Sequence, residues 1–208
     1  MSLQKRLAQR RAEKLYKEGG WGPQLTFPAE RADGKPLVFQ FRVPDGVELI
    51  EVQRLAGAAV DPPALVQRAA ALDRAGSVAG VIVVGALCAP PKPDAEREVL
   101  AMMTVALADV KRPPIVENYL LPETERSQQE VTKLNDKATR IRRLSVESLG
   151  PDQEPVPMLM VQYLIESQFG ALAFAFWTTH QEMFGEWAWE MFRKVVETGW
   201  IGESPRLY

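Results

Sequence analysis

The chain has 208 residues, of which 46% are hydrophobic and 25% are charged, a composition typical of a soluble globular protein and unlike a disordered or fibrous one. A chain of this length can bury about 70% of the surface it exposes when unfolded, which is enough for one substantial core. No stretch reaches the roughly 18 to 20 apolar residues that a membrane-spanning helix needs. We expect one domain over residues 1–208, without a membrane span. A single cysteine, and the lack of a signal-peptide pattern in the first 20 residues, favour a cytoplasmic protein.

Basic residues are concentrated near the N-terminus. The whole chain carries a net charge of -2, whereas its first 20 residues carry six bases and two acids. The apolar residues of this segment fall on one stripe at helical spacing, and Gly19 and Gly20 end the pattern. We predict a basic N-terminal helical arm at residues 1–20. A solvated helix face explains its charge, and the near-neutral total disfavours nucleic acid as a partner.

Residues 37–43 alternate between apolar and polar side chains, which predicts a half-buried strand, and Pro44, Asp45 and Gly46 predict the turn that follows. The next elements are predicted from apolar spacing, β-branched residues and prolines. In chain order they are a strand at 47–52, a helix at 61–75, an interior strand at 78–88, a helix at 94–110, a strand at 113–121 and an exposed helix or mobile loop at 123–137.

The last third of the chain predicts three consecutive strands, at 139–148, 157–166 and 171–178, with a short turn joining the last two. Thr179 and Glu182 have the spacing of a capping box, which predicts the start of a C-terminal amphipathic helix. We therefore predict an α+β fold: a mainly antiparallel six- or seven-stranded sheet flanked by helices, with the C-terminal helix packed on the final hairpin.

The chain is poor in residues that carry catalysis. It has one histidine, His180, and one cysteine, Cys88, whereas zinc sites need several such ligands and nucleophilic catalysis needs a nucleophile, a base and an orienting group together. His180 lies at the start of the predicted helix, where the positive end of the helix dipole disfavours a protonated imidazole. Cys88 at the end of an apolar strand is interpreted as a small buried residue. We predict no catalytic residues, no metal site and no cofactor, which favours a protein that is not an enzyme.

Three residues are candidates for a binding surface. Arg140 and Arg142 lie on one predicted strand, with Arg143 beside them, and could bind phosphates or an acidic protein surface. Trp189 falls near the polar border of the C-terminal helix, and tryptophan is enriched at protein interfaces. A solvated strand face and the edge of the core are the alternative interpretations.

Two segments resemble the PsbP-like fold family: the strand at 37–43 running into Pro44, Asp45 and Gly46, and the hairpin with its aromatic helix at 157–200. Together they cover about a quarter of the 208 residues. The resemblance implies an antiparallel sheet flanked by helices and a binding or accessory role, since many members bind proteins and have no catalytic centre. No functional residue of the family carries over, and the basic N-terminal segment departs from its pattern.

Two functions follow as hypotheses. The first is a non-enzymatic protein-binding or accessory module whose partner is another protein, with Trp189, Arg140 and Arg142 at the contact. The alternative is a small-molecule binder or enzyme with a pocket between sheet and helices, using carboxylates with Arg140 or Arg142. Homo-oligomerisation stays open.

Overall fold

The computed structural model describes residues 20–31, 33–51, 78–89, 98–108, 128–135, 137–149, 155–179 and 186–205. Most of these residues lie in strands. The elements in chain order are β1 (Leu25–Glu30), β2 (Pro36–Phe41), β3 (Glu48–Glu51), β4 (Val78–Cys88), β5 (Val99–Ala108), β6 (Gln128–Leu134), β7 (Lys137–Leu149), β8 (Pro155–Ser167), β9 (Gly170–Thr178), α1 (Glu186–Glu197) and β10 (Trp200–Gly202).

The prediction of a helix-flanked α+β fold is wrong. The described residues form two antiparallel sheets, and α1 is the one helix found among them. The clearest difference is β5, because a helix was predicted at 94–110. Its alanines, methionines and leucines favour a helix locally, but β4 and β9 pair with it on both sides, and this long-range pairing outweighs the local preference.

The larger sheet has seven strands in the order β3-β4-β5-β9-β8-β7-β6, and every neighbouring pair is antiparallel. A tight turn joins β8 to β9. Gly170 has a φ of 138°, a conformation that favours glycine, and the Ser167 hydroxyl donates to the Gly170 carbonyl at 2.6 Å. The same hydroxyl oxygen accepts from the Phe169 amide at 3.2 Å, so the turn conformation is fixed from both sides.

The smaller sheet has three strands in the order β1-β2-β10. It covers one face of the seven-stranded sheet, which we call the inner face. Phe39 of β2 meets Phe174 of β9 edge to face, with ring centroids 5.7 Å apart. Because side chains alternate along a strand, the residues between those of the inner face lie on the opposite side, which we call the outer face. The main core lies between the inner face, the smaller sheet and α1.

Helix α1 packs on the β8–β9 hairpin through its apolar stripe. Phe192 stacks on Phe176 with ring centroids 4.4 Å apart, and Met191, Val195 and Val196 are buried beside it. Thr198 links the end of α1 to the smaller sheet, because its hydroxyl oxygen accepts from the Arg42 amide at 2.9 Å.

Several sequence predictions are confirmed at the level of single elements. Strands occur where they were predicted at 37–43, 47–52, 78–88, 139–148, 157–166 and 171–178, with bounds that differ by at most two residues. The exposed helix or loop predicted at 123–137 is wrong in its described part, which contains strand β6. The arm at 1–20 apart from Gly20, the helix at 61–75, the strand at 113–121, His180 and Glu182 lie outside the described residues.

Candidate functional site

The residues predicted for a binding surface lie on two sides of the large sheet. Arg140 and Arg142 are on the outer face of β7, where Arg142 is only 4% exposed and Arg140 is partly buried. Trp189 lies on α1, which covers the inner face, and packs at the margin of the main core. The structure therefore does not bring Trp189 together with the two arginines.

Trp189 has a different arginine as its neighbour. The guanidinium carbon of Arg143 lies 4.9 Å from the centroid of the Trp189 ring, a cation–π arrangement. Nη2 of Arg143 also lies 3.7 Å from a carboxylate oxygen of Glu130 on the neighbouring strand β6. Arg143 follows Arg142 directly in β7, so its side chain points to the inner side while that of Arg142 points to the outer side. A register shift of one residue would exchange the two positions.

A surface cleft of about 470 Å³ lies where the β8–β9 turn approaches β10. All three residues of β10 line it, together with Arg31, Gln168, Phe169 and Glu203. The volume falls within the range of ordinary ligand clefts. The cleft joins segments that are far apart in sequence, since β10 reaches this position by pairing with β2.

Local sequence explains the aromatic walls of the cleft. Phe169 is held by the hydrogen-bonded turn at Ser167 and Gly170. The Trp200 indole lies over Gly202, and a Cβ added at Gly202 would overlap ring atoms of that indole. Glycine is therefore required at 202 for Trp200 to occupy its observed position.

The charged groups of the cleft are arranged around its aromatic walls. Nη2 of Arg31 lies 3.2 Å from a carboxylate oxygen of Asp33, and Lys35 Nζ approaches the same oxygen at 3.7 Å. Glu203 is exposed at the other side. The ion pair with Asp33 compensates the charge of Arg31. The cleft combines apolar walls with a polar rim, which is the usual composition of a protein interface.

Within the described part of the chain, no group of three or more His, Cys, Asp or Glu residues could hold a metal ion. The interpretation of Cys88 as a buried residue is confirmed, because the side chain is 0% exposed and Sγ lies 3.8 Å from the Ala86 carbonyl oxygen. Among the described residues, no helix has the length and apolar character needed to cross a membrane.

A scan against protein-family models and a search of curated proteins each return no match for this chain. The resemblance to the PsbP-like fold family therefore stays a hypothesis. Sequence reasoning missed the cleft, although Phe169 in a turn and Gly202 two residues after a tryptophan are local signals of it. Sequence reasoning could not predict the pairing of β10 with β2.

Proposed function

We propose that the protein is a non-enzymatic protein-binding module whose cleft receives an extended segment of a partner protein. One observation carries the proposal: all three residues of β10 line the cleft, and β10 is the last strand of the three-stranded sheet among the described strands. An edge strand presents backbone N–H and C=O groups that a partner segment can pair with. Strand addition of this kind supplies affinity through the main chain.

The walls of the cleft supply selectivity in this proposal. Phe169 and Trp200 are both partly buried, so each can lose further exposed apolar area when a side chain enters between them. Gln168, Arg31 and Glu203 then form the polar rim. The partner segment accordingly carries one large apolar side chain at the position facing the cleft.

Site-specific photo-cross-linking tests the proposal. The photoreactive residue p-benzoylphenylalanine replaces Gln168 at the exposed rim of the cleft, and in a matched control it replaces Glu51, which is exposed on β3 at one edge of the large sheet. We expect a discrete cross-linked partner from the native lysate at position 168 and none at position 51. Adding Gly202→Ala, which displaces the Trp200 indole, should abolish that product.

Two results would contradict the cleft as the binding surface. One is equal cross-linking at positions 168 and 51. The other is a product at position 168 that persists in the Gly202→Ala protein while its melting temperature equals that of the parent. In either case the partner would not require the aromatic walls of the cleft.

Trp189 remains a separate part of the proposal. The Arg143 and Glu130 side chains around it are partly exposed, at 37% and 57%, so a partner can reach them. Arg142, at 4% exposure, does not offer its side chain to a protein surface, and Arg140 beside it is partly buried. Pull-down with the wild type and Trp189→Ala tests this surface, and equal recovery of the same partners would remove it.

We also propose a cytoplasmic location and an accessory role. The support for the location is compositional: Cys88 is the one cysteine in the 208 residues, so these residues form no disulfide among themselves. Analytical ultracentrifugation of the purified protein tests whether it self-associates.

A further inference from the structure

Two charged side chains line the cleft at β10, and they differ in whether a neighbour compensates their charge. Nη2 of Arg31 lies 3.2 Å from a carboxylate oxygen of Asp33, so Arg31 already has a counter-ion. Glu203 is exposed, and within the described part of the chain no ion pair or hydrogen bond engages its carboxylate. The cleft therefore carries one negative charge that a bound group can neutralise.

Glu203 and Trp200 lie close together in the chain, and both line the cleft. Glu203 follows β10 directly, whereas Arg31 follows β1, and β2 lies between these two strands. The backbones that carry Glu203 and Arg31 are therefore about 10 Å apart, which is twice the spacing of neighbouring strands. The Glu203 end of the cleft thus offers a carboxylate and an indole, while the positive charge stands at the other end.

The same chain shows what a tryptophan and a carboxylate can hold between them. On α1, the guanidinium carbon of Arg143 lies 4.9 Å from the centroid of the Trp189 ring. Nη2 of Arg143 lies 3.7 Å from a carboxylate oxygen of Glu130, so the cation contacts an aromatic face and an acid together. The cleft has the tryptophan and the carboxylate, but its own Arg31 pairs with Asp33. A cation from outside can complete the group.

We infer that the partner segment carries a basic side chain, preferably arginine, that contacts Trp200 and Glu203. It is a second contact beside the apolar residue that enters the cleft, so this assignment rests on the function proposed above. A planar guanidinium can stack on an indole and donate to a carboxylate at once, whereas an ammonium group acts as a point charge. Because side chains alternate along an extended segment, the basic residue lies two positions from the apolar one.

Selection from a phage-displayed library of random peptides on the full-length protein tests this assignment. We expect enriched peptides to carry a large apolar residue with arginine or lysine two positions away. Glu203→Arg reverses the charge at the rim and should change the selected basic residue to aspartate or glutamate. Glu166→Arg is the matched control, because Glu166 is exposed two residues before Gln168 and does not line the cleft. It should keep the basic preference.

The affinity of one selected peptide provides a second readout. Citrulline in place of its arginine keeps the shape of the side chain and removes the charge. Fluorescence anisotropy should show that this replacement weakens binding about fivefold in the parent protein. In Glu203→Gln the same replacement should have little effect, because the charged partner is already absent. Glu203 is exposed, so the melting temperature of this variant should equal that of the parent.

Three results would overturn the assignment. If no peptide is enriched relative to selection on the Gly202→Ala protein, the cleft receives no segment, and the proposed function falls with it. If apolar residues are enriched without a basic one, or if Glu203→Arg keeps the basic preference, the cleft binds a segment without using Glu203. Equal loss of affinity with citrulline in the parent and in Glu203→Gln would likewise mean that the basic side chain binds elsewhere.

Discussion

The phenol oxygen of Tyr163 lies 3.3 Å from the backbone carbonyl oxygen of Trp189 and donates a hydrogen bond to it. This bond ties β8 to α1 beneath the Arg143–Trp189 contact. Tyr163 is 1% exposed, and its ring meets Phe176 edge to face at 6.1 Å. The phenol is therefore held in its neutral, donating form within the core, and its ionisation is coupled to folding.

Tyr163 predicts a loss of stability at alkaline pH. Burial raises the pKa of Tyr163 well above its ordinary value of 10, with Glu130 and Glu197 adding to the rise and Arg143 and Arg193 opposing it. Above pH 10 the unfolded chain loses this proton while the folded protein keeps it. The free energy of unfolding then falls with pH, by about 1.4 kcal/mol per unit for one such group. This contribution is complete below pH 10.

Tyr163→Phe isolates that effect. The variant should be about 0.5–1.5 kcal/mol less stable at pH 7, because it lacks the hydrogen bond to Trp189. Urea unfolding at a series of pH values should show its free energy falling less steeply than that of the wild type above pH 10. Parallel curves for the two proteins across that range would show that Tyr163 does not titrate with folding.

The stacking of Phe192 on Phe176 predicts a strong dependence of stability on α1. Both rings are at most 1% exposed and lie nearly parallel, at 15°. Phe192→Ala should cost about 3–5 kcal/mol, since it removes a buried ring and leaves a cavity. A double-mutant cycle with Phe176→Ala should give a coupling of about 0.5–1.5 kcal/mol beyond the buried area.

Phe27→Ala is the matched control for this prediction. Phe27 also stacks on a core ring, that of Phe41 at 5.6 Å, but it is partly exposed on β1. Its removal should therefore cost clearly less than that of Phe192. Equal losses for the two variants, measured by denaturant unfolding, would mean that α1 does not depend on the Phe192 ring for its packing.

The strands that the sequence predicted correctly are those with a strong local pattern. Residues of β2 alternate, and β4 is an almost continuous apolar run rich in β-branched residues, so both can be recognised without knowing their partners. The strands β5 and β6 differ. Met102 and Met103 favour a helix, and the polar residues of β6 suit an edge strand only once β7 is beside them. Their structure comes from neighbours that sequence position does not reveal.

The candidate sites were harder to predict for the same reason. Arg142 was identified, but its place opposite Gln162 follows from the register of β7 on β8, which local pattern does not fix. Likewise, Arg143 rather than Arg142 meets Trp189, because the alternation of β7 places neighbouring residues on opposite faces. The sequence can therefore identify the right types of residue, but only the register of the sheet shows which of them meet at a site.

The Arg143–Trp189 contact predicts a modest but measurable coupling. A double-mutant cycle of Arg143→Ala and Trp189→Ala should yield about 0.5–1 kcal/mol, the range for a cation–π pair near the surface. Glu130→Gln is the control, and it should change stability by less than about 1 kcal/mol because the ion pair is long and partly exposed. A coupling near zero in thermal or urea unfolding would indicate that Arg143 does not rest on the ring.

Thr104→Val should stabilise the protein in the absence of any added ligand. The Thr104 hydroxyl is buried on β5 without a hydrogen-bond partner among the described residues, so valine of nearly the same shape removes a polar group that gains nothing from folding. We expect a gain of about 1 kcal/mol in the free energy of unfolding. Thr178→Val is the contrasting control, because the Thr178 hydroxyl donates to the Leu100 carbonyl at 2.6 Å, and its loss should destabilise the fold by about 1 kcal/mol. If both variants lose stability to the same extent in urea unfolding, the Thr104 hydroxyl has a hydrogen-bond partner in the folded protein. Opposite signs for the two variants would instead show that the hydroxyl on β5 is retained at a cost to folding.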